Sequence, residues 1–268
     1  MHVPILIAAF YKFVPLPDYR ELRAPLLDAC RRAEVRGTIL LASEGINATI
    51  AGERAAVDAV LNGLRADPRL ADLTIKESLH SRNPFGRMKV RLKREIVALK
   101  QPDIDPARQV GIYIEPEAWN RLIARDDLLL VDARNDYEVR MGSFPGALNP
   151  GTAAFHELPR YLDANLDPRQ HKRVAMFCTG GIRCEKATAY LLARGFEAVY
   201  HLRGGILRYL EKIDAAESLW QGECFVFDER VSLDHKLQKG QITICDDCKS
   251  AVILTDAACP RCGSSNFL

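Results

Sequence analysis

The densest chemistry in the chain lies in Cys178-Thr179-Gly180-Gly181-Ile182-Arg183-Cys184-Glu185-Lys186, directly after the apolar run Val174–Phe177. A cysteine closes an expected strand, two glycines permit a tight turn, an arginine follows, and a helical pattern is expected from near Glu185. Amides released from the strand before the helix closes have no ladder partner, and with the helix N-terminus they form a site for an anion. Around a thiol, such a field and the charge of Arg183 favour the thiolate near neutral pH. A thiolate is a nucleophile, so covalent catalysis by Cys178 is the expected chemistry. Arg183 is also placed to grip an anionic or polarised substrate. Cys184 either resolves a persulfide or sulfenate on Cys178 or packs in the first helical turn.

Three further groups have readable chemistry. Asp132 and Arg134 end another expected strand and either form a structural ion pair or face the same crevice as Cys178. Between His80 and Lys100 stand seven basic residues (Arg82, Arg87, Lys89, Arg91, Lys93, Arg94 and Lys100) against the single acid Glu95. Lys89, Arg91 and Lys93 alternate with Val90 and Leu92, which projects three charges from one strand face, either a solvated surface or a stripe for phosphates. Phe85, just upstream, is an aromatic that suits base stacking. Cys245 and Cys248 form one C-x2-C pair and Cys259 and Cys262 a second, ten residues apart. Four thiolates close a tetrahedral structural zinc site. The spacer is shorter than the usual ~15–20 residues, and the alternative is unpaired surface thiols. His156 and His201, isolated beside apolar residues, are expected to pack rather than catalyse.

The elements that position these groups fall into three segments. Residues 1–100 read as strand Val3–Val14, helix Asp18–Glu34, strands Thr38–Ala42 and Ala48–Ile50 around a turn-rich connection at 43–47, helix Glu53–Leu64 and a last strand Val90–Leu99. This β-α-β-β-α-β order predicts a ferredoxin-like α+β domain. Residues 101–111 are polar and proline-bearing, a linker. Residues 112–221 alternate strands (Leu128–Asp132, Val174–Phe177, Val199–Leu202) with helices (Ala187–Arg194, Ile206–Ile213), which predicts an α/β parallel sheet covered on both faces, with Cys178 at a strand's carboxyl end. Residues 222–268 form the small cysteine-bearing tail. Of the 268 residues 48% are hydrophobic and 27% charged, a globular composition, and 37 basic residues nearly balance 35 acidic ones. The apolar run Ile5–Phe10 is far short of a membrane span and no basic leader precedes it, so a cytoplasmic, reducing setting is expected, where the eight cysteines serve catalysis or metal binding.

The Cys178 loop resembles the active loop of rhodanese domains. Leu130-Val131-Asp132-Ala133-Arg134 with Glu138 and Gly142, Phe144-Pro145-Gly146-Ala147-Leu148-Asn149-Pro150, and Leu202-Arg203-Gly204-Gly205-Ile206 resemble further rhodanese segments in the same order. Together with Ser43-Glu44-Gly45-Ile46-Asn47, Arg134–Val139 and Glu223–Val231, they make nearly the whole chain similar to the rhodanese-like tRNA uridine hydroxylases. The resemblance implies oxygen-dependent conversion of the wobble uridine of certain tRNAs to 5-hydroxyuridine, with tRNA as partner, molecular oxygen as co-substrate, and no DNA or membrane partner. It specifies no organic cofactor. Within that activity Cys178 is expected to add to uracil C6 or to carry a persulfide. The alternative function is a sulfurtransferase passing that persulfide to an acceptor. A non-catalytic binding module would have no use for an activated thiol. Four residues separate Cys178 from Arg183, one fewer than in the loop of the related cysteine phosphatases, a cradle that fits sulfur better than a tetrahedral phosphate.

Overall fold

The computed structural model describes residues 4–248 and 250–267, so Val3, the expected start of the first strand, lies outside the described residues. The chain divides into two compact units, Met1–Ala98 and Leu99–Leu268.

The first unit runs β1 (Ile5–Phe13), α1 (Arg23–Arg32), β2 (Arg36–Ala42), β3 (Gly45–Gly52), α2 (Arg54–Arg65), β4 (Ile75–His80) and β5 (Met88–Leu92). Its sheet has the order β4-β1-β3-β2-β5, with β5 parallel to β2 and the other pairs antiparallel. Alternate residues of the strands (Leu6, Ala8, Phe10; Ile39, Leu41; Ile46, Ala48, Ile50) share a core with Cys30 of α1 and the stripe Val57, Val60, Leu61 and Leu64 of α2. The ferredoxin-like order is present, but its fourth strand is β4 rather than Val90–Leu99. β4 is an edge strand whose Leu79 is exposed, so it carries no apolar run to announce it. The later segment is strand only to Leu92, on the opposite edge, and Ile96 and Leu99 are buried outside any strand. The 43–47 connection is shorter than expected, since Gly45, Ile46 and Asn47 already belong to β3. On β5, Val90 is buried while Met88 and Leu92 pack against the core, which leaves Lys89 and Arg91 on the other face.

The second unit runs β6 (Ile112–Ile114), α3 (Pro116–Ile123), β7 (Leu129–Asp132), α4 (Asp136–Val139), β8 (Gly142–Ser143), α5 (Leu158–Asn165), β9 (Arg173–Phe177), α6 (Ile182–Ala193), β10 (Ala198–Leu202), α7 (Gly205–Lys212), β11 (Gln221–Gly222), β12 (Cys224–Phe225), β13 (Ser232–Leu233), β14 (Ile242–Ile244) and β15 (Ala251–Ile253). The parallel sheet has the order β6-β10-β9-β7. In β9, Val174, Ala175, Met176 and Phe177 are all buried, as a central strand covered on both faces requires. An aromatic core of Trp119, Phe144, Phe177, Tyr209 and Trp220 fills one face beneath α3 and α7. The tail is joined to this body rather than separate: β11 pairs with β8, and Phe225, Val231 and Ile244 pack with Met141. No helix among the described residues is long and apolar enough to cross a membrane.

Candidate active site

Cys178 follows the central strand β9 and is fully buried. The backbone reverses through Thr179 and Gly180 to Gly181, which caps α6 at φ 101°, a conformation open to glycine but strained for other residues. The helix therefore begins at Ile182, earlier than its sequence pattern suggests. The Gly181 amide donates to Cys178 Sγ at 3.2 Å. From the other side, the first turn of α7 fixes the loop: Ile206 N–H donates to the Cys178 carbonyl at 3.0 Å and Leu207 N–H to that of Thr179 at 3.1 Å. Gly205 makes this approach possible, because a Cβ there would lie 2.4 Å from the Cys178 carbonyl oxygen and 2.7 Å from that of Thr179.

Burial pushes the Cys178 thiol up, but a hydrogen bond from the Cys184 thiol, the charge of Arg183 and the backbone amides of Cys184 and Gly181 outweigh it and bring it down to about 5. Cys178 is thus a thiolate at neutral pH. Cys184, equally buried, is held neutral well above its ordinary value by burial and by the anion beside it.

Arg183 reaches its place differently from the sequence expectation. Its guanidinium is buried and forks onto Glu138, with Nη1 donating to Oε1 at 2.6 Å and Nη2 to Oε2 at 2.7 Å. Nη2 also donates to Thr179 Oγ1 at 3.1 Å, and that hydroxyl donates to Glu138 Oε2 at 3.2 Å. Its charge acts on the thiolate through space while Glu138 and Thr179 take three of its five donors. Glu138 is held there by the capping box of α4, where Oε1 accepts from the Asn135 N–H at 3.2 Å. Burial would raise the Glu138 carboxyl, but Arg183 outweighs it and keeps it low. Glu138 is not among the expected site residues, although the rhodanese-like segment Leu130–Arg134 is read together with it; the Asn135–Glu138 capping spacing is a second signal for it.

Asp132 and Arg134 form a structural pair. Both are wholly buried, with Arg134 Nε donating to Asp132 Oδ1 at 2.8 Å and Nη2 to Oδ2 at 2.6 Å. Ser143 Oγ donates to Asp132 Oδ2 at 2.8 Å, and Arg134 stacks over Trp220 at 5.0 Å. They brace the strand ends under the loop. His201 is buried on Tyr113, and burial lowers its pKa to about 4, so it is a neutral packed ring. On β5, Arg91 is exposed and Lys89 half-buried, and Arg87 and Lys93, which flank the strand, are exposed; none of the four forms an ion pair among the described residues. Phe85 is half-buried.

In the tail, the four sulfurs of Cys245, Cys248, Cys259 and Cys262 lie within 4.8 Å of one another. Cys245 to Cys262 is 3.6 Å and Cys248 to Cys259 is 3.5 Å. A tetrahedron of thiolates ~2.3 Å from a zinc ion has edges of about 3.8 Å, so the donor set fits a metal.

Comparison with known proteins agrees with this architecture. Residues 5–96 match the UPF0176 acylphosphatase-like domain and residues 115–212 the rhodanese-like domain. A tRNA uridine(34) hydroxylase of Picosynechococcus sp. is 54% identical over 266 residues, covering 96% of this chain and 89% of that protein. The chain belongs to the tRNA uridine(34) hydroxylase family. Among solved structures, the rhodanese-like domain of an Anabaena sp. protein is 19% identical over 41% of this chain and 78% of its own, with a TM-score of 0.34. A rhodanese-related protein of Thermoplasma volcanium is 22% identical over 38% of this chain and 92% of its own, with a TM-score of 0.30. At those scores the structural likenesses carry no argument, and family membership rests on the sequence match.

Proposed function

We propose that this protein hydroxylates C5 of the wobble uridine of tRNA, with molecular oxygen as co-substrate and the Cys178 thiolate as nucleophile. The observation that carries the reading is a thiol with a pKa of about 5 at the end of the central strand, in a chain of this family. Uracil C5 is a poor nucleophile until a base or nucleophile adds at C6. Bond formation from Cys178 Sγ to C6 moves the C5–C6 electron pair toward C5 and O4, giving an enolate whose C5 can meet oxygen. As sulfur loses its charge, the field of Arg183 and of the α6 N-terminus is left to act on the enolate. Oxygen adds at C5 as a hydroperoxide, whose O–O bond is broken by two electrons and two protons to leave a C5 hydroxyl and release water. Loss of the C5 proton and of the Cys178 thiolate from C6 then restores the double bond. The net change places one oxygen atom at C5 and the other in water, and consumes two electrons and two protons, which two equivalents of an external thiol supply on forming a disulfide.

Lys89, Arg91 and Lys93, with Arg87, supply a positive strand edge for tRNA phosphates. The four tail cysteines hold a zinc ion whose coordination they complete, so its role is to fold the tail. Such a reaction, on tRNA and with a free thiolate, belongs in the reducing cytoplasm.

The test is nucleoside mass spectrometry of tRNA incubated aerobically with purified protein and a thiol reductant, beside Cys178→Ser. 5-Hydroxyuridine from the wild type alone is the expected result. No product, together with sulfur transfer from thiosulfate to cyanide, would replace this reading with a sulfurtransferase carrying its persulfide on Cys178, the thiol that Cys184 faces.

A further inference from the structure

The hairpin joining β12 to β13 holds one aromatic ring where the reaction chemistry has so far assigned none. Phe227 is 66% exposed, the most exposed large hydrophobic side chain among the described residues. An exposed phenyl ring on a loose loop would mean little, but this loop is pinned by its own hydrogen bonds. Val226 N–H donates to the Val231 carbonyl at 2.8 Å and Val231 N–H to that of Asp228 at 3.0 Å. Asp228 takes a two-point contact from Arg230, Nε at 2.9 Å and Nη2 at 2.6 Å, with both side chains buried. Val231 is held at φ 64°, a strained conformation for a β-branched residue that only a well-determined surrounding maintains.

The ring's neighbours tie it to the active loop. Phe225 meets it edge to face at 4.9 Å, and Phe225 is in turn met by Tyr137 at 5.2 Å. The guanidinium of Arg183 lies 5.7 Å from the Phe227 centroid. Arg183 is the cation that acts on the Cys178 thiolate. The solvent-facing Phe227 ring therefore lies against the cation whose charge acts on the reacting sulfur.

A uridine drawn out of the anticodon stack loses its stacking neighbours, and an aromatic side chain is the usual replacement. We infer that Phe227 is the stacking platform for the target uracil, presenting the base to Cys178. This rests on the hydroxylase reading. Stacking on a phenyl ring tolerates any base, so Phe227 supplies hold and orientation rather than choice of uridine.

Two measurements test it. Phe227→Ala should lower kcat/KM for 5-hydroxyuridine formation by about 5–150-fold, the range that base–aromatic stacking supports. Phe227→Tyr and Phe227→Trp should restore most of the loss, and Phe227→Leu, apolar but without a π-face, should not. The Cys178 titration near 5 should persist in all four, showing the loop intact. In Phe227→Trp, tRNA should quench the added emission, and the same tRNA made abasic at the wobble position should not. An unchanged kcat/KM in Phe227→Ala, full activity in Phe227→Leu, or equal quenching by both tRNAs would overturn the assignment. Failure of the hydroxylase reading looks different: the wild type forms no 5-hydroxyuridine under any reductant, whatever the quenching shows.

Discussion

The charge state of Cys178 makes a stability prediction that needs no substrate. The thiol titrates at about 5 in the fold against 9.0 in an unstructured chain. Between those values the unfolded chain carries a proton that the folded protein has released, so stability from this group rises with pH. The contribution is complete above about 9 and is lost as pH falls through about 5. At about 1.4 kcal/mol per pH unit, the full span is worth about 5 kcal/mol. Cys178→Ser cannot ionise, so the stability difference between wild type and variant should grow by about 4 kcal/mol from pH 5.5 to 8.5. Packing changes from the substitution shift that difference by a constant and leave its slope intact. Urea unfolding followed by tryptophan emission is the assay. Trp119 and Trp220 are the chain's two tryptophans, and both are buried in the core that includes Phe177, next to Cys178. The readout therefore follows the unit that holds the thiol. A difference that stays constant within about 1 kcal/mol over that range would show that Cys178 is not a thiolate, and the nucleophile argument would fall with it.

Three other perturbations probe the supports of the site. Gly205→Ala places a methyl group 2.4 Å from the Cys178 carbonyl oxygen at a backbone φ of 68°, so the loop must shift; formation of 5-hydroxyuridine, followed by nucleoside mass spectrometry, should vanish. Glu138→Gln strands the buried Arg183 charge and should destabilise the second unit by about 3–5 kcal/mol in urea unfolding; a loss below about 1 kcal/mol would contradict the buried-pair account. Replacing Lys89, Arg91 and Lys93 by glutamine should weaken tRNA binding and reduce the slope of log K against log salt by about 2–3, as three lost phosphate contacts require. An unchanged slope would place the RNA elsewhere.

The active loop was legible because its parts are contiguous: strand, cysteine, paired glycines, arginine and helix follow one another within nine residues, and each has a local conformational meaning. The four tail cysteines were legible for the same reason. The pairing of Glu138 was not, although resemblance picks the residue out, because its partner Arg183 lies 45 residues away and its own neighbourhood explains it as a capping residue. β4 was missed because an edge strand needs only a few apolar contacts: Ile-Lys-Glu-Ser-Leu-His shows no clean alternation. Val90–Leu99 was read as one strand because Val90, Leu92, Ile96 and Leu99 share an apolar character. Their burial is real, but Ile96 is tied down by its backbone, its N–H on Glu44 and its carbonyl on Asn47, rather than by a ladder.

The placement of Arg183 changes the account of how the thiolate is made. An arginine beside a thiol is usually credited with the whole effect. Here the guanidinium is matched at 2.6 and 2.7 Å by a carboxylate, so the pair carries no net charge and favours the thiolate less than a lone arginine would. The hydrogen bond from Cys184 is the strongest influence opposing burial, ahead of the arginine. Two thiols in contact share one proton, and the anion settles on Cys178 because the Gly181 amide and the arginine lie on its side. The second cysteine of the loop then has a structural and an electrostatic reason to be a thiol: it is small enough for the first turn of α6 and is a donor that burial keeps protonated. The same proximity would make it the first partner that a sulfenate on Cys178 meets: the two would condense to a disulfide with loss of water, and two external thiols would then have to reduce that disulfide to regenerate both cysteines.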